Sequence, residues 1–208
     1  MRQFLRVCVA VCGLGLAMLL ASCATMSPEE CKNAQWREVG QADGLVGASL
    51  SVFNSRVEDC AKADVVVDAE AYHQGRDLGL SSYCRMENAV QLGLNGSYYG
   101  RVCPPEVDGI FYQRHKVAFA VYAVRAEIHN LHIRTDVLES RLRESNRDED
   151  SRLRSATSDT ERSKIRRELD DERNKTRNEL IEIDTQLRRK REELRHAEFN
   201  LSNLPAIR

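Results

Sequence analysis

Between Arg125 and Asn200 the chain has no glycine, no proline and no cysteine. Those residues turn or cross-link a backbone, so this stretch lacks the punctuation of a loop-rich domain. Strand signals are equally scarce. Val65-Val66-Val67 is the one β-like run in the segment before it, and it is too short to seed a sheet. No charge sign dominates: 31 Lys and Arg stand against 32 Asp and Glu, a formal net charge of -1. That balance gives no footing for a polyanion partner, so nucleic acid is excluded from the expected partners. Catalytic signatures are missing too. There is no Gly-x-Ser-x-Gly elbow and no His-Glu-x-x-His, and the glycines near residue 40 precede no basic residue of the Walker kind. The expectation is a protein without enzymatic activity, cofactor or metal.

What is present begins at the N-terminus. Arg2 and Arg6 supply a positive region, and Val7 to Leu20 is almost wholly apolar. The run is short for a membrane span, which needs about 20 apolar residues, and it fits the apolar region of an export signal. It ends in Leu20-Ala21-Ser22-Cys23, small residues followed by cysteine: a lipobox. Residues 1–22 are therefore read as a lipoprotein signal peptide and Cys23 as the lipidation site. Each buried CH₂ contributes about 0.8 kcal/mol, so two or three acyl chains hold a protein on a bilayer. Ala24 and Thr25 follow the cysteine where an Asp would signal inner-membrane retention. The expected location is the periplasmic face of the outer membrane, with the membrane engaged through the N-terminal lipid.

Composition divides the rest. Residues 24–124 hold the single Trp, most of the aromatics and glycines, and every remaining cysteine, whereas Arg, Glu, Asp, Leu and Asn dominate 125–200. Residues 23–30 are read as a lipid-anchored linker, 31–112 as a Cys/Gly-rich helical module, and 113–204 as an antiparallel coiled-coil hairpin. The fold class is all-α: a small disulfide-stapled helical module followed by a long helical hairpin. Cys31, Cys60, Cys84 and Cys103 in an exported chain imply two disulfides, with three possible connectivities. A Cys₄ zinc site lacks any close Cys-x-x-Cys pair.

Within the module the spacing is helical. Trp36, Gly40, Asp43, Gly44 and Gly47 recur three to four apart, as do Tyr72, Gly75, Gly79 and Tyr83. Glycine inside a helix costs roughly 1 kcal/mol relative to alanine, so repeated glycine on one face signals another helix packed onto bare backbone. Arg76 lies beside these positions and is placed to pair across the contact. Asp64 and Asp68 are N-cap candidates for a helix running to about Cys84. An earlier helix, marked by Leu50, Phe53, Asn54 and Val57, ends near Lys62. Glu87 to Leu92 reads as a short helix, Asn95-Gly96-Ser97 as a turn, and Pro104-Pro105 as the start of the next element. If the helix from Trp36 runs antiparallel to the one from Leu50, Cys31 meets Cys60. The turn at Asn95-Gly96 then returns Cys103 to Cys84.

The series Cys31, Trp36, Gly40, Asp43-Gly44, Gly47, Cys60, Asp68, Tyr72, Gly75-Arg76, Gly79-Leu80, Tyr83-Cys84, Gly93, Gly96, Tyr99, Val102-Cys103, Phe111 resembles the bacterial envelope lipoproteins grouped as domain-of-unknown-function family 2799. The resemblance covers about residues 28–115. It implies an exported lipoprotein and supplies no reaction or ligand.

Beyond Phe111 the apolar residues Val117, Val121, Val124, Ile128, Leu131, Leu138 and Leu142 keep helical spacing. A second series, Leu180, Ile183, Leu187, Leu194, Ala197, Leu201 and Leu204, follows a heptad with Lys190 at one core position. Residues 143–163 are nearly all polar, and Ser158-Asp159-Thr160-Glu161 is a capping box. The chain is expected to break near Ser155 to Asp159 and fold back. The rival is one unbroken helix that dimerises.

Two function classes follow. In the first, the protein is a structural or protein-interaction module of the cell envelope, with a protein partner or self-association through the coiled coil. The alternative is an envelope enzyme or small-ligand-binding lipoprotein with a pocket around Trp36, Tyr72, Arg76 and Tyr83, an aromatic set beside an Arg that could hold a sugar or a carboxylate. The carboxylates Asp43, Asp68 and Glu70 are expected to act as caps and polar contacts. Of the five histidines His73, His115, His129, His132 and His196, only His129 and His132 sit near enough in sequence to share a metal, and no third ligand stands at the right spacing. The lipobox makes a direct prediction. Cys23→Ser should leave unprocessed precursor or a soluble periplasmic form, and a variant that is processed and fractionates with membranes as wild type does would refute it.

Overall fold

The computed structural model describes residues 26–206, so residues 1–22, expected to be a signal peptide, and Cys23 lie outside the described residues. Among the described residues there are seven helices and no strand: α1 (Pro28–Asn33), α2 (Trp36–Leu45), α3 (Leu50–Ala61), α4 (Ala69–Tyr83), α5 (Met86–Leu94), α6 (Pro105–Ser155) and α7 (Asp159–Ser202). They form two units. The first runs through Arg85 and takes in residues 100–108; the second holds Met86–Tyr99 and everything from Gly109 onward. α5 thus belongs with the long helices, although composition groups it with the cysteine-rich module.

The stretch read as a linker is partly folded. Ser27 caps α1 with a full capping box: its hydroxyl accepts from the Glu30 amide at 3.3 Å, and its own amide donates to the Glu30 carboxylate at 2.7 Å. Pro28 takes the first helical position, where a missing N–H costs nothing. α4 is capped by Asp68, whose carboxylate accepts from the Ala71 amide at 2.9 Å. Asp64, the other cap candidate, instead turns the chain with φ 56°.

α2 and α4 are the closest pair in the first unit. A Cβ on Gly40 would lie 2.0 Å from the Tyr72 carbonyl oxygen, and one on Gly75 would lie 1.9 Å from that of Arg37. Gly44 and Gly79 face the opposite backbones in the same way. Below this contact Met26, Cys31, Trp36, Phe53, Cys60 and Tyr72 form the core, with Val65 and Val67 packed against it. The disulfides are Cys31–Cys60 and Cys84–Cys103, with Cα–Cα distances of 5.4 and 5.7 Å. Closures spanning 29 and 19 residues each stabilise by about 3–4 kcal/mol in the chain-entropy view. The first bond forms for a different reason than the spacing implies: Cys31 rides on α1, which packs on α3, while α2 pairs with α4.

In the second unit α6 and α7 run antiparallel, joined by residues 156–158. Ser158 caps α7 by accepting from the Glu161 amide at 3.2 Å. The Glu161 carboxylate reaches one residue further back than a capping box requires, to the Thr157 amide at 2.8 Å. Backbone and hydroxyl donors of Thr157 hold that carboxyl below its usual range. Midway along the hairpin, Leu138, Ile183 and Leu187 are buried with Ile128, Leu131 and Leu180 packed around them. Toward the turn polar residues join Leu169 in the core: Ser145 and Thr176 are buried, and Arg173 pairs with Glu149 across the seam. Lys190, the interruption in the heptad, reaches Glu127 on α6 at 2.5 Å and Glu193 on its own helix at 2.6 Å. At the base of the hairpin Gly93 of α5 abuts His115, Ala118 and Phe119, and Tyr99 packs on Phe111.

The glycine contacts are directly testable. Gly40→Ala should destabilise the protein by about 1–3 kcal/mol, because overpacking outweighs the gain in helix propensity. Gly109→Ala, with nothing within 4 Å of the new Cβ, should be neutral or stabilising by up to about 1 kcal/mol. Urea unfolding followed by helical circular dichroism checks both.

Candidate functional site

The polar centre of the first unit is Asp43. It sits on the same face of α2 as Gly40 and Gly44, so the close approach of α4 buries it to 7% exposure. An isolated buried carboxylate is costly and needs partners. Two arrive from different helices. Tyr72 of α4 donates its phenol to Oδ2 at 2.8 Å, and Arg56 of α3 donates Nη2 to Oδ1 at 2.7 Å. One side chain therefore ties α2, α3 and α4 together. Arg76, one turn beyond Tyr72 on α4, donates to the Ala48 carbonyl at 2.8 Å, which fixes the loop between α2 and α3. Trp36 and Tyr83 are buried at either end of the α2–α4 contact, and the Tyr83 ring covers Gly47.

All four residues expected around a pocket are accounted for by internal contacts. Trp36 and Tyr72 lie in the core, Arg76 holds a backbone carbonyl, and Tyr83 closes over a turn. Tyr72 stacks on Phe53 at 4.2 Å between centroids, and His73 packs against both rings. Asp68 is a helix cap, and Glu70 accepts from Gln74 on the same helix. Arg56 escapes a reading by sequence, although it sits between Phe53 and Cys60 on the buried face of α3 and that spacing is a usable signal. In the second unit His115 is buried and meets the Ser97 carbonyl at 2.7 Å through Nε2, which holds the Asn95–Ser97 turn onto α6. Arg114 donates to the Pro205 carbonyl. Among the described residues no three His, Cys, Asp or Glu side chains are grouped as a metal site would need.

Burial and the hydrogen bond to Asp43 push Tyr72 up to about 12, and burial alone raises Tyr83. Neither phenol is poised to move protons near neutrality.

The fold and this polar centre define a class: a disulfide-stapled helical module organised around a buried ion pair and phenol. The family model described as Protein of unknown function (DUF2799) matches residues 35–120, and this part of the chain belongs to that family. No curated protein and no solved structure matches the chain.

A tyrosine whose folded pKa lies above the unfolded value near 10 contributes stability that is whole below pH 10 and is lost as pH rises toward 12. Unfolding monitored at fixed denaturant should therefore show stability declining across that window. Tyr72→Phe should cost about 1 kcal/mol at neutral pH and make the alkaline decline shallower. An unchanged alkaline slope in the variant would assign the decline to other groups.

Proposed function

We propose that the protein is a lipid-anchored component of the cell envelope, held through Cys23 at the periplasmic face of the outer membrane, which acts as a structural or protein-interaction module without catalysis. The docking element is the α6–α7 hairpin. The observation that carries this reading is the pair Ile133 and Val137. They stand one turn apart on α6 at 49% and 55% exposure, with charged residues beside them. With Asp136, Ser140, Arg141 and Glu144 they line a shallow groove. An apolar strip edged by both charge signs suits an amphipathic helix of a protein partner or of another copy. The seam needs no such partner, since α6 and α7 already cover each other's apolar series.

The internal use of Trp36, Tyr72, Arg76 and Tyr83 supports the non-enzymatic reading over a ligand pocket at those residues. Among the described residues no helix is long and apolar enough to cross a membrane, so the reading assigns membrane attachment to the lipid.

The test is the double variant Ile133→Lys, Val137→Glu in intact envelopes. Exposed substitutions of this kind change stability by about 0.5 kcal/mol or less, so the protein should accumulate normally. It should lose the crosslinked species formed by the native chain. Retention of every crosslinked species would place the interaction elsewhere, and turnover of a cell-wall or small-molecule substrate by the purified protein would overturn the non-enzyme reading.

A further inference from the structure

The tether between lipid and fold is shorter than the sequence implies. Residues 23–30 leave room for an eight-residue linker, but Ser27 already caps α1 and Met26 is buried at 7% exposure in the core of the first unit. Only Ala24 and Thr25 separate Cys23 from a core residue. Three steps along a fully extended chain span at most about 11 Å. A lipid on Cys23 therefore holds whatever surface surrounds Met26 close against the bilayer.

Part of that surface is apolar. The cluster containing Met26 is covered by Val65 and Val67, and Val66 between them is 93% exposed. Burial alternates along this run, so the flanking valines point inward and the middle one outward. The turn at Asp64, with φ 56°, precedes the run. Beside it lies an open groove whose apolar wall is Phe53, Val57, Ala61, Val65, Val67 and Ala69, with Asn54 and Asp64 as its polar members. Phe53, Val65 and Val67 belong to both the groove and the Met26 cluster. A single exposed valine is ordinary on a protein surface. This one continues into a largely apolar groove, on the same cluster as Met26, three residues after Cys23.

We propose that this end of the first unit rests on the bilayer, with Val66 inserted among the lipids and the Phe53–Val57 groove covered by phospholipid hydrocarbon. The proposal rests on the lipid anchor read above. The lipid supplies most of the attachment, and the contact sets orientation: apolar side chains at the interface favour one face of the module toward the membrane. A long linker would leave the module free to tumble; two residues do not.

The experiment uses the full-length protein with benzoylphenylalanine replacing Val66, and a comparison protein with the same group replacing Leu78, which is 47% exposed on α4. Each is reconstituted in vesicles of phosphatidylethanolamine and phosphatidylglycerol, irradiated, and read by intact mass. The N-terminal peptide is read first. Absence of acyl groups on Cys23 sinks the anchor reading and this contact with it. With the acyl groups present, phospholipid adducts should form several-fold more at position 66 than at 78. Equal yields at the two positions, no phospholipid adduct at 66, or adducts there only with the protein's own acyl chains would each overturn the contact while leaving the anchor intact. Emission from Trp36, the single tryptophan, reports whether the first unit is folded. Should substitution at 66 shift that emission, the probe moves to Val57 on the groove wall, with the same expected and overturning results.

Discussion

The first unit depends on two helix backbones touching. Gly40 and Gly44 on α2, and Gly75 and Gly79 on α4, leave no side chain between the helices, and the buried polar cluster around Asp43 takes its position from that approach. Asp43 is buried because α4 comes so near. Once buried it requires donors, and the geometry offers Tyr72 from α4 and Arg56 from α3. A wider helix spacing would expose the carboxylate to water, leave Tyr72 short of it, and loosen the hold on α3. The glycines are thus the cause of the polar cluster.

The hairpin distributes its stability unevenly. Midway along, the seam is aliphatic, with Leu138, Ile183 and Leu187 buried. Toward the turn Leu169 shares it with Ser145, Thr176 and the Arg173–Glu149 pair, and the Ser145 hydroxyl is buried without a hydrogen-bond partner. Polar core positions reduce the hydrophobic contribution and increase selectivity for one register. Lys190 does the same in the aliphatic half by reaching across to Glu127. Sliding α7 by one heptad would place the ammonium opposite a different α6 residue and break that pair. The sequence of unequal layers, aliphatic, lysine and polar, matches only itself.

Much of this fold is legible in the chain itself. Helical period, the turn at Asn95-Gly96 and the break before Asp159 all depend on local chemistry, and local chemistry is written in neighbouring residues. The glycine faces are just as plain, because glycine repeated at helical spacing weakens a helix unless a second backbone packs against it. Three features are harder to see. The capping box from Ser27 to Glu30 falls in a stretch whose position just after Cys23 suggests a linker. Adjacency in sequence pairs α2 with α3, whereas the matching glycines on α4 make the closer contact. The aromatic and basic residues around Tyr72 resemble a ligand set because residue type does not show what each side chain already touches. Burial supplies that missing fact. Arg56 is the converse: a charged residue on an apolar helix face has no evident use until Asp43 is found opposite it.

The chain passes between the two units three times, after Arg85, after Tyr99 and after Asp108. The bond between Cys84 and Cys103 brackets the excursion through α5. Neither unit can therefore be lifted out by cutting a single connector. A protease that nicks residues 86–99 leaves its two products covalently joined until a reductant opens that bond. For the same reason the family's module cannot be transplanted by copying one contiguous stretch up to Arg85. Any exchange that leaves out residues 86–108 removes Cys103, the partner of Cys84, and the return of the chain along with it.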